Sequence, residues 1–225
     1  MMKRVCMSIV AALAAGVSVP AVAQDDRAGS VQIKGFATAV FADAKITDVK
    51  QDDFGLPAGT QSAANDNVTP TIAIEYFVSN NFSIETIAGV TQHDVDGLGG
   101  LDGAELVSDL RIIPGTVTAK YHFDLSDNFK PYIGAGPAYF IIFNDDAGSD
   151  VVPLGVTDVD LTNEFGLALQ AGADFAINEG FGLSLDVKRY FIDTDARFFA
   201  GDTEIIRTKH KLDPWLVSAG AYVRF

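Results

Sequence analysis

Ionisable residues stand at alternate positions within several short apolar stretches, and these are the first places to look for chemistry. Lys34, Glu75, Glu85, Lys120, Asp174, Asp186, Lys188 and Arg224 each sit on one face of a period-two pattern, with His122 and Gln170 on the same faces. The ionised set is four acids and four bases. Such a balance suits ion pairing in a confined interior, because an unpaired buried charge is costly. Catalysis has little support. His93, His122 and His210 have no Ser or Cys partner at a recognisable spacing, and no two stand at metal-ligand spacing. Asp94-Val-Asp-Gly-Leu-Gly-Gly-Leu-Asp102 imitates part of a calcium loop, yet fits neither the EF-hand nor a glycine-rich nonapeptide repeat. Solvated acidic loops explain it. The expectation is a chain that is not an enzyme and has no catalytic residue, cofactor or resident metal.

The elements that must position these charges read as strands of about ten residues. They lie near 31–41, 68–78, 81–92, 110–123, 131–143, 163–177, 180–193 and 214–225. Connections alternate between short (79–81, 124–129, 178–180) and long (42–67, 93–109, 144–162, 194–213). One face of the strands carries no charge, as in Ile72-Ala-Ile-Glu-Tyr76 and Phe181-Gly-Leu-Ser-Leu-Asp-Val187 read at every second residue. That is what hydrocarbon demands of an outward face. Aromatic residues gather at both strand ends: Tyr76, Phe82, Tyr121, Phe123, Phe175, Phe181 and Phe225 at one, Phe41, Phe165, Phe191 and Trp215 at the other. Two belts match the two interfaces of a bilayer. A soluble sandwich would share the alternation, but it has no reason for two belts or for alternating loop lengths. The pattern therefore predicts an all-β transmembrane antiparallel up-and-down β-barrel of eight strands, with short periplasmic turns and long extracellular loops.

Composition narrows the classes. Lys3 and Arg4, the apolar run 5–19 and Ala21-Val-Ala23 make a secretory signal cleaved before Gln24, leaving 24–225 as the barrel. Beyond it there is no cysteine and hence no disulfide framework. The formal charge of -14 becomes -16 once Lys3 and Arg4 are removed with the signal, which excludes nucleic acid as a partner. Hydrophobic residues are nonetheless 48% of the chain, so they must be dispersed in alternation rather than gathered in a spanning helix.

Within the barrel the inward face sorts by depth. The charged set above forms a floor toward the periplasm, while Val40, Leu110, Ile112, Ile192 and Leu216 line the outer half as an apolar funnel. A barrel of about eight strands is barely wide enough for its own side chains, so paired charges would close the lower lumen. Pro114-Gly115 weakens the wall of the fourth strand, facing Gly134, Gly136 and Pro137 of the fifth. A bend that tightens the barrel is one reading, a lateral opening the other. Arg189, Arg207, Lys209, His210 and Lys211 gather near the outer membrane edge, where long cations can snorkel toward lipopolysaccharide phosphates.

The segments Thr69-Pro-Thr-Ile-Ala-Ile-Glu-Tyr76, Ile113-Pro-Gly-Thr-Val-Thr-Ala-Lys-Tyr-His-Phe123, Lys130-Pro-Tyr-Ile-Gly-Ala-Gly136, Leu169-Gln-Ala-Gly-Ala-Asp-Phe175 and Leu212-Asp-Pro-Trp215 occur in an order that resembles the outer membrane protein W (OmpW) family. The last strand, ending on Phe225, likewise resembles the closing strand of outer-membrane barrels, which the barrel-assembly machinery reads. The resemblance implies an eight-stranded barrel in the cell outer membrane, surrounded by outer-membrane lipid and lipopolysaccharide and linked to passage of small apolar solutes. Passive admission of small apolar or amphipathic molecules, with lateral exit to the bilayer, is the favoured function. The competing one is a structural or surface-recognition barrel whose loops bind ions, lipopolysaccharide or a partner without transport.

Overall fold

The computed structural model describes residues 27–143 and 145–225, so the signal at 1–23 lies outside the described residues. Fifteen strands are present among them: β1 (Val31–Phe41), β2 (Lys45–Asp52), β3 (Gln61–Ala64), β4 (Asn67–Phe77), β5 (Phe82–Gly89), β6 (Thr91–Leu98), β7 (Glu105–His122), β8 (Phe129–Phe143), β9 (Asp146–Ala147), β10 (Asp158–Leu161), β11 (Glu164–Asn178), β12 (Phe181–Phe191), β13 (Asp193–Ala200), β14 (Thr203–Lys211) and β15 (Trp215–Arg224). Eight staves make a closed antiparallel barrel: β1, β4, β5 continued by β6, β7, β8, β11, β12 and β15. The first and last strands seal it, with Gln32 opposite Arg224 and Phe41 opposite Trp215. Val31 and Phe225 exchange two further backbone hydrogen bonds, of 3.1 and 2.9 Å, at the chain's end. Closure leaves no free edge in the hydrocarbon layer, where unpaired backbone groups are expensive.

Burial follows the alternation most plainly in β1, β5 and β12. In β12, Gly182, Ser184, Asp186, Lys188 and Tyr190 are buried while Phe181, Leu183, Leu185, Val187 and Phe191 are exposed. Both aromatic belts are outward: Phe41, Phe165, Phe191 and Trp215 at one level, Tyr76, Phe82, Tyr121, Phe123, Phe175, Phe181 and Phe225 at the other. The molecule is thus turned inside out, apolar toward lipid and charged at the lower centre.

The long connections, placed from the sequence as loops, contain strands of their own. β10, β13, β14 and β2 form a second antiparallel sheet above the barrel, and β6 with β7 extends the barrel wall as a hairpin. β6, β10, β13 and β14 have one buried face, such as Thr194, Ala196 and Phe198 of β13, and one polar face in water, whereas β2 is largely exposed. Their mean polarity therefore reads as loop although their alternation is that of strand.

Candidate functional site: an apolar cavity over an ion-paired floor

The floor is built where inward residues of six staves meet. Lys34 Nζ lies 2.8 Å from Glu75, 3.2 Å from Asp174 and 3.5 Å from Glu85. Lys120 Nζ bridges Glu75 at 2.9 Å and Glu85 at 2.8 Å. Lys188 Nζ reaches Asp186 at 2.7 Å and Glu85 at 3.2 Å. All seven side chains are at most 2% exposed. Neutral partners take up the remaining carboxylate lone pairs. Ser83 and His122 sit on Glu75, Gln170 donates to Glu85 and Asp186, Tyr132 donates to Asp186, and Ser184 and Gln32 donate to Asp174. Tyr132 also lies with its ring 3.7 Å from Lys120 Nζ. This meets the condition under which buried ion pairs hold, namely good geometry plus satisfied leftover groups.

Arg224 stands apart from the set it was expected to join. Its guanidinium donates to Gln32 Oε1 at 3.0 and 2.9 Å and packs over the rings of Phe77 and Tyr222, and no carboxylate pairs with it among the described residues. Being on the last residue of β15, it is too near the periplasmic mouth to reach the acids above Gln32. Arg27, not singled out from sequence, caps the same mouth. Its backbone N–H and that of Ala28 donate to Asn80 Oδ1, and its guanidinium meets Asp124 at 2.9 Å. Asp124 also accepts from Lys130 and Asn81, and the Lys130 hydrogen bond foremost holds its carboxyl below the usual range.

Above the floor, Val40, Leu110, Ile112, Ile192 and Leu216 belong to one buried apolar cluster. A narrow cavity of about 60 Å³ runs through it, lined by Val40, Leu110, Ile112 and Leu216 of the predicted set, whereas Ile192 is buried in the same cluster without lining it. The outer end is formed by residues that sequence reasoning treated as loop, among them Leu106, Leu161, Ala196, Phe198 and His210. Their signal was present as period-two alternation in 158–161, 193–200 and 203–211. His210 is buried among them, which pushes its imidazole below its ordinary value and keeps it neutral.

Pro114 lines the cavity and Gly115 follows it in β7, but the break in the wall is not the one foreseen. Toward β8 the ladder is intact at these residues, with Pro114 opposite Phe140 and Gly115 opposite Tyr139; the bridges missing there are lower, at Val117 and Thr118 opposite Pro137 and Gly136. Toward the third stave it is open. Pairing runs up to Ile87 opposite Thr116 and resumes at Thr91 opposite Ile112, leaving Ala88–Val90 and Ile113–Gly115 unpaired with each other. The register sets Pro114, which has no N–H, across from Gly89. On its other side the third stave leaves the β4 ladder at Thr71 opposite Gly89, and Pro70 would be next. There side chains replace the ladder: Thr69 donates to the carbonyl of Val90 at 2.7 Å and Asn67 to that of Gln92 at 2.6 Å. Gly89, Thr91, Ile112 and Pro114 all line the cavity, so it reaches both lips of the open seam.

This architecture has close counterparts. The chain is 33% identical over 171 residues to an uncharacterized outer-membrane protein, y4mB, of Sinorhizobium fredii, covering 76% of this chain and 71% of that one. It is 28% identical over 183 residues to Outer membrane protein W of Vibrio cholerae, covering 80% and 84%. Among solved structures, OprG of Pseudomonas aeruginosa superposes with a TM-score of 0.79 at 27% identity, over 90% of this chain and 98% of the other. The OmpW family model matches residues 27–225, the whole of the barrel with its outer extension, and the chain belongs to that family of outer-membrane β-barrels.

Proposed function

We propose that this barrel passively admits small apolar or amphipathic molecules from outside and releases them sideways into the bilayer between its third and fourth staves. One observation carries the reading: a cavity lined by apolar side chains touches both lips of an unpaired seam, directly above a floor closed by ion pairs. Apolar lining lowers the cost of holding an apolar solute and offers a hydrated ion no ladder of partners. The floor bars the axial path, so the seam is the remaining one. In the same reading the exposed belts face outer-membrane lipid and lipopolysaccharide, and Phe225 is what the barrel-assembly machinery recognises.

The test is Ile112→Asp, which sets a carboxylate on the cavity wall beside Thr91. Heat-modifiable migration on gels checks that the variant assembles. Entry of an apolar compound into cells is expected to slow, and entry of a small hydrophilic sugar to stay as it was. Normal assembly with unchanged apolar uptake would sink the route and favour a surface-recognition role for the outer sheet.

A further inference from the structure

The cavity wall carries the polar side chains of Thr38, Thr69, Thr71, Thr91, His93 and His210, and their protons can be followed individually. Thr69 gives its hydroxyl proton to the Val90 carbonyl. His93 Nδ1 faces the carbonyl of Asn65 at 2.7 Å; a carbonyl only accepts, so in the neutral ring the proton is on Nδ1 and Nε2 accepts from Thr91 at 2.8 Å. His210 repeats the arrangement. Ser62 donates to the Ala44 carbonyl at 2.6 Å, which leaves Nδ1 as the donor toward Ser62 Oγ at 3.1 Å and Nε2 as the acceptor from Thr208 at 2.7 Å. Every hydroxyl proton in these contacts is committed.

Thr38 and Thr71 are the exception. Thr38 Oγ1 lies 2.8 Å from Thr71 Oγ1 and 2.9 Å from Ser218 Oγ, and all three residues are buried. Three hydroxyls carry three protons, and two hydrogen bonds among them use two. The third proton is left over, on Thr71 or Ser218 when the bonds run in one direction and on Thr38 when both neighbours donate to it, with no other partner among the described residues. Thr38 and Thr71 line the cavity and Ser218 does not; Thr71 is the residue opposite Gly89, where the third stave departs from its neighbour.

We propose that Thr71 is a specificity-determining residue that hydrogen-bonds a single neutral oxygen on the guest, so that the favoured substrates are slim aliphatic alcohols and ketones over bare hydrocarbons. This rests on the proposed route and names its substrate class. With a carbonyl guest the chain runs Ser218 to Thr38 to Thr71 to guest; with an alcohol it also runs in reverse, the guest donating into Thr71 and the spare proton moving to Ser218. A carboxylate is disfavoured, because one neutral donor does not offset the desolvation of a full charge. The head group is met beside the open seam, while the tail stays against Leu110, Ile112 and Leu216.

The experiment compares uptake of 1-decanol and n-decane by cells carrying the intact protein, Thr71→Val or Thr71→Ser, each checked for assembly by heat-modifiable migration. The decanol-to-decane ratio should fall roughly threefold to tenfold in Thr71→Val, the span expected for one neutral hydrogen bond. Thr71→Ser, which keeps the hydroxyl, should restore it. An unchanged ratio in an assembled Thr71→Val protein overturns the inference while leaving the route standing. Entry of neither compound above that of cells lacking the protein overturns the route, and the inference with it.

Discussion

Lys120→Met tests whether the floor is dry. Lys120 Nζ is shared by Glu75 at 2.9 Å and Glu85 at 2.8 Å and is fully buried. Methionine fills much the same volume and removes the charge alone. Glu75 then keeps Lys34 at 2.8 Å, whereas Glu85 keeps Lys188 at 3.2 Å and Lys34 at 3.5 Å, both of which have nearer acids. Glu85 is therefore the group left short. Breaking one side of a buried pair costs about 3–5 kcal/mol, mostly because the partner stays buried without its counter-charge. At about 2–4 °C per kcal/mol for a chain of this size, the thermal midpoint in detergent should fall by roughly 6–20 °C. Adding Glu85→Gln removes that carboxylate's charge, and the double variant should regain part of the loss, with a coupling of about 0.5–3 kcal/mol. The assay is the unfolding midpoint by heat-modifiable migration, alongside conductance in planar bilayers, which should rise if cutting the pair unplugs the lumen. A midpoint within about 2 °C of the parent, less than one kcal/mol on the same scale, together with unchanged conductance would show that water already screens these charges.

Two further outcomes follow from the ends of the strands. Deleting Phe225 removes an aromatic of the periplasmic belt and the last backbone hydrogen bonds to Val31, so the yield of heat-modifiable, membrane-inserted protein should drop; undiminished insertion would refute a role for this residue in assembly. His210 is held neutral by burial in the outer sheet, so its folded value is below 6.5. The unfolded chain then binds the proton more readily, and this contribution to stability is present above about pH 6.5 and lost as pH falls through the folded value. Amide exchange in 203–211 should accelerate between about pH 7 and pH 5, and less so in His210→Gln; identical acceleration in both proteins would remove His210 as the cause.

How far the sequence could be read depends on what surrounds each face. In β12 or β15 the outer face meets hydrocarbon, so every second residue must be apolar and the alternation is unmistakable. In β13 and β14 the outer face meets water, so Asp193, Asp195 and Arg197, then Arg207, Lys209 and Lys211, mask the buried Thr194, Ala196, Phe198, Ile206, Thr208 and His210 between them. Charged membership of the floor was legible because lysine on an inward face has nowhere else to go. Partner choice was not: Lys34 meets Asp174, 140 residues away, because the stagger of the barrel raises one stave against another, and that shear has no local signature. The same stagger separates Arg224 from the acids.

The seam shows why one proline was informative and still insufficient. Pro114 marks a missing donor, but a residue in a barrel has two neighbours, and only register says which of them loses the bond. That neighbour proves to be the third stave, which is itself discontinuous at Val90 between β5 and β6. In hydrocarbon such a gap would ordinarily be prohibitive, since each unsatisfied backbone group costs several kcal/mol. Here Pro114 and Pro70 supply no N–H to leave unpaired, while Thr69, Asn67 and Thr116 donate to the carbonyls of Val90, Gln92 and Pro114. The gap is assembled from residues that lower its cost. Below it, Lys120 of the fourth stave and Glu85 of the third are joined at 2.8 Å, so the two staves that part at Gly89 are tied by charge beneath the parting. The proposed lateral route requires a wall that parts above while it stays pinned below, and the ladder gap over the Lys120–Glu85 pair has that layout.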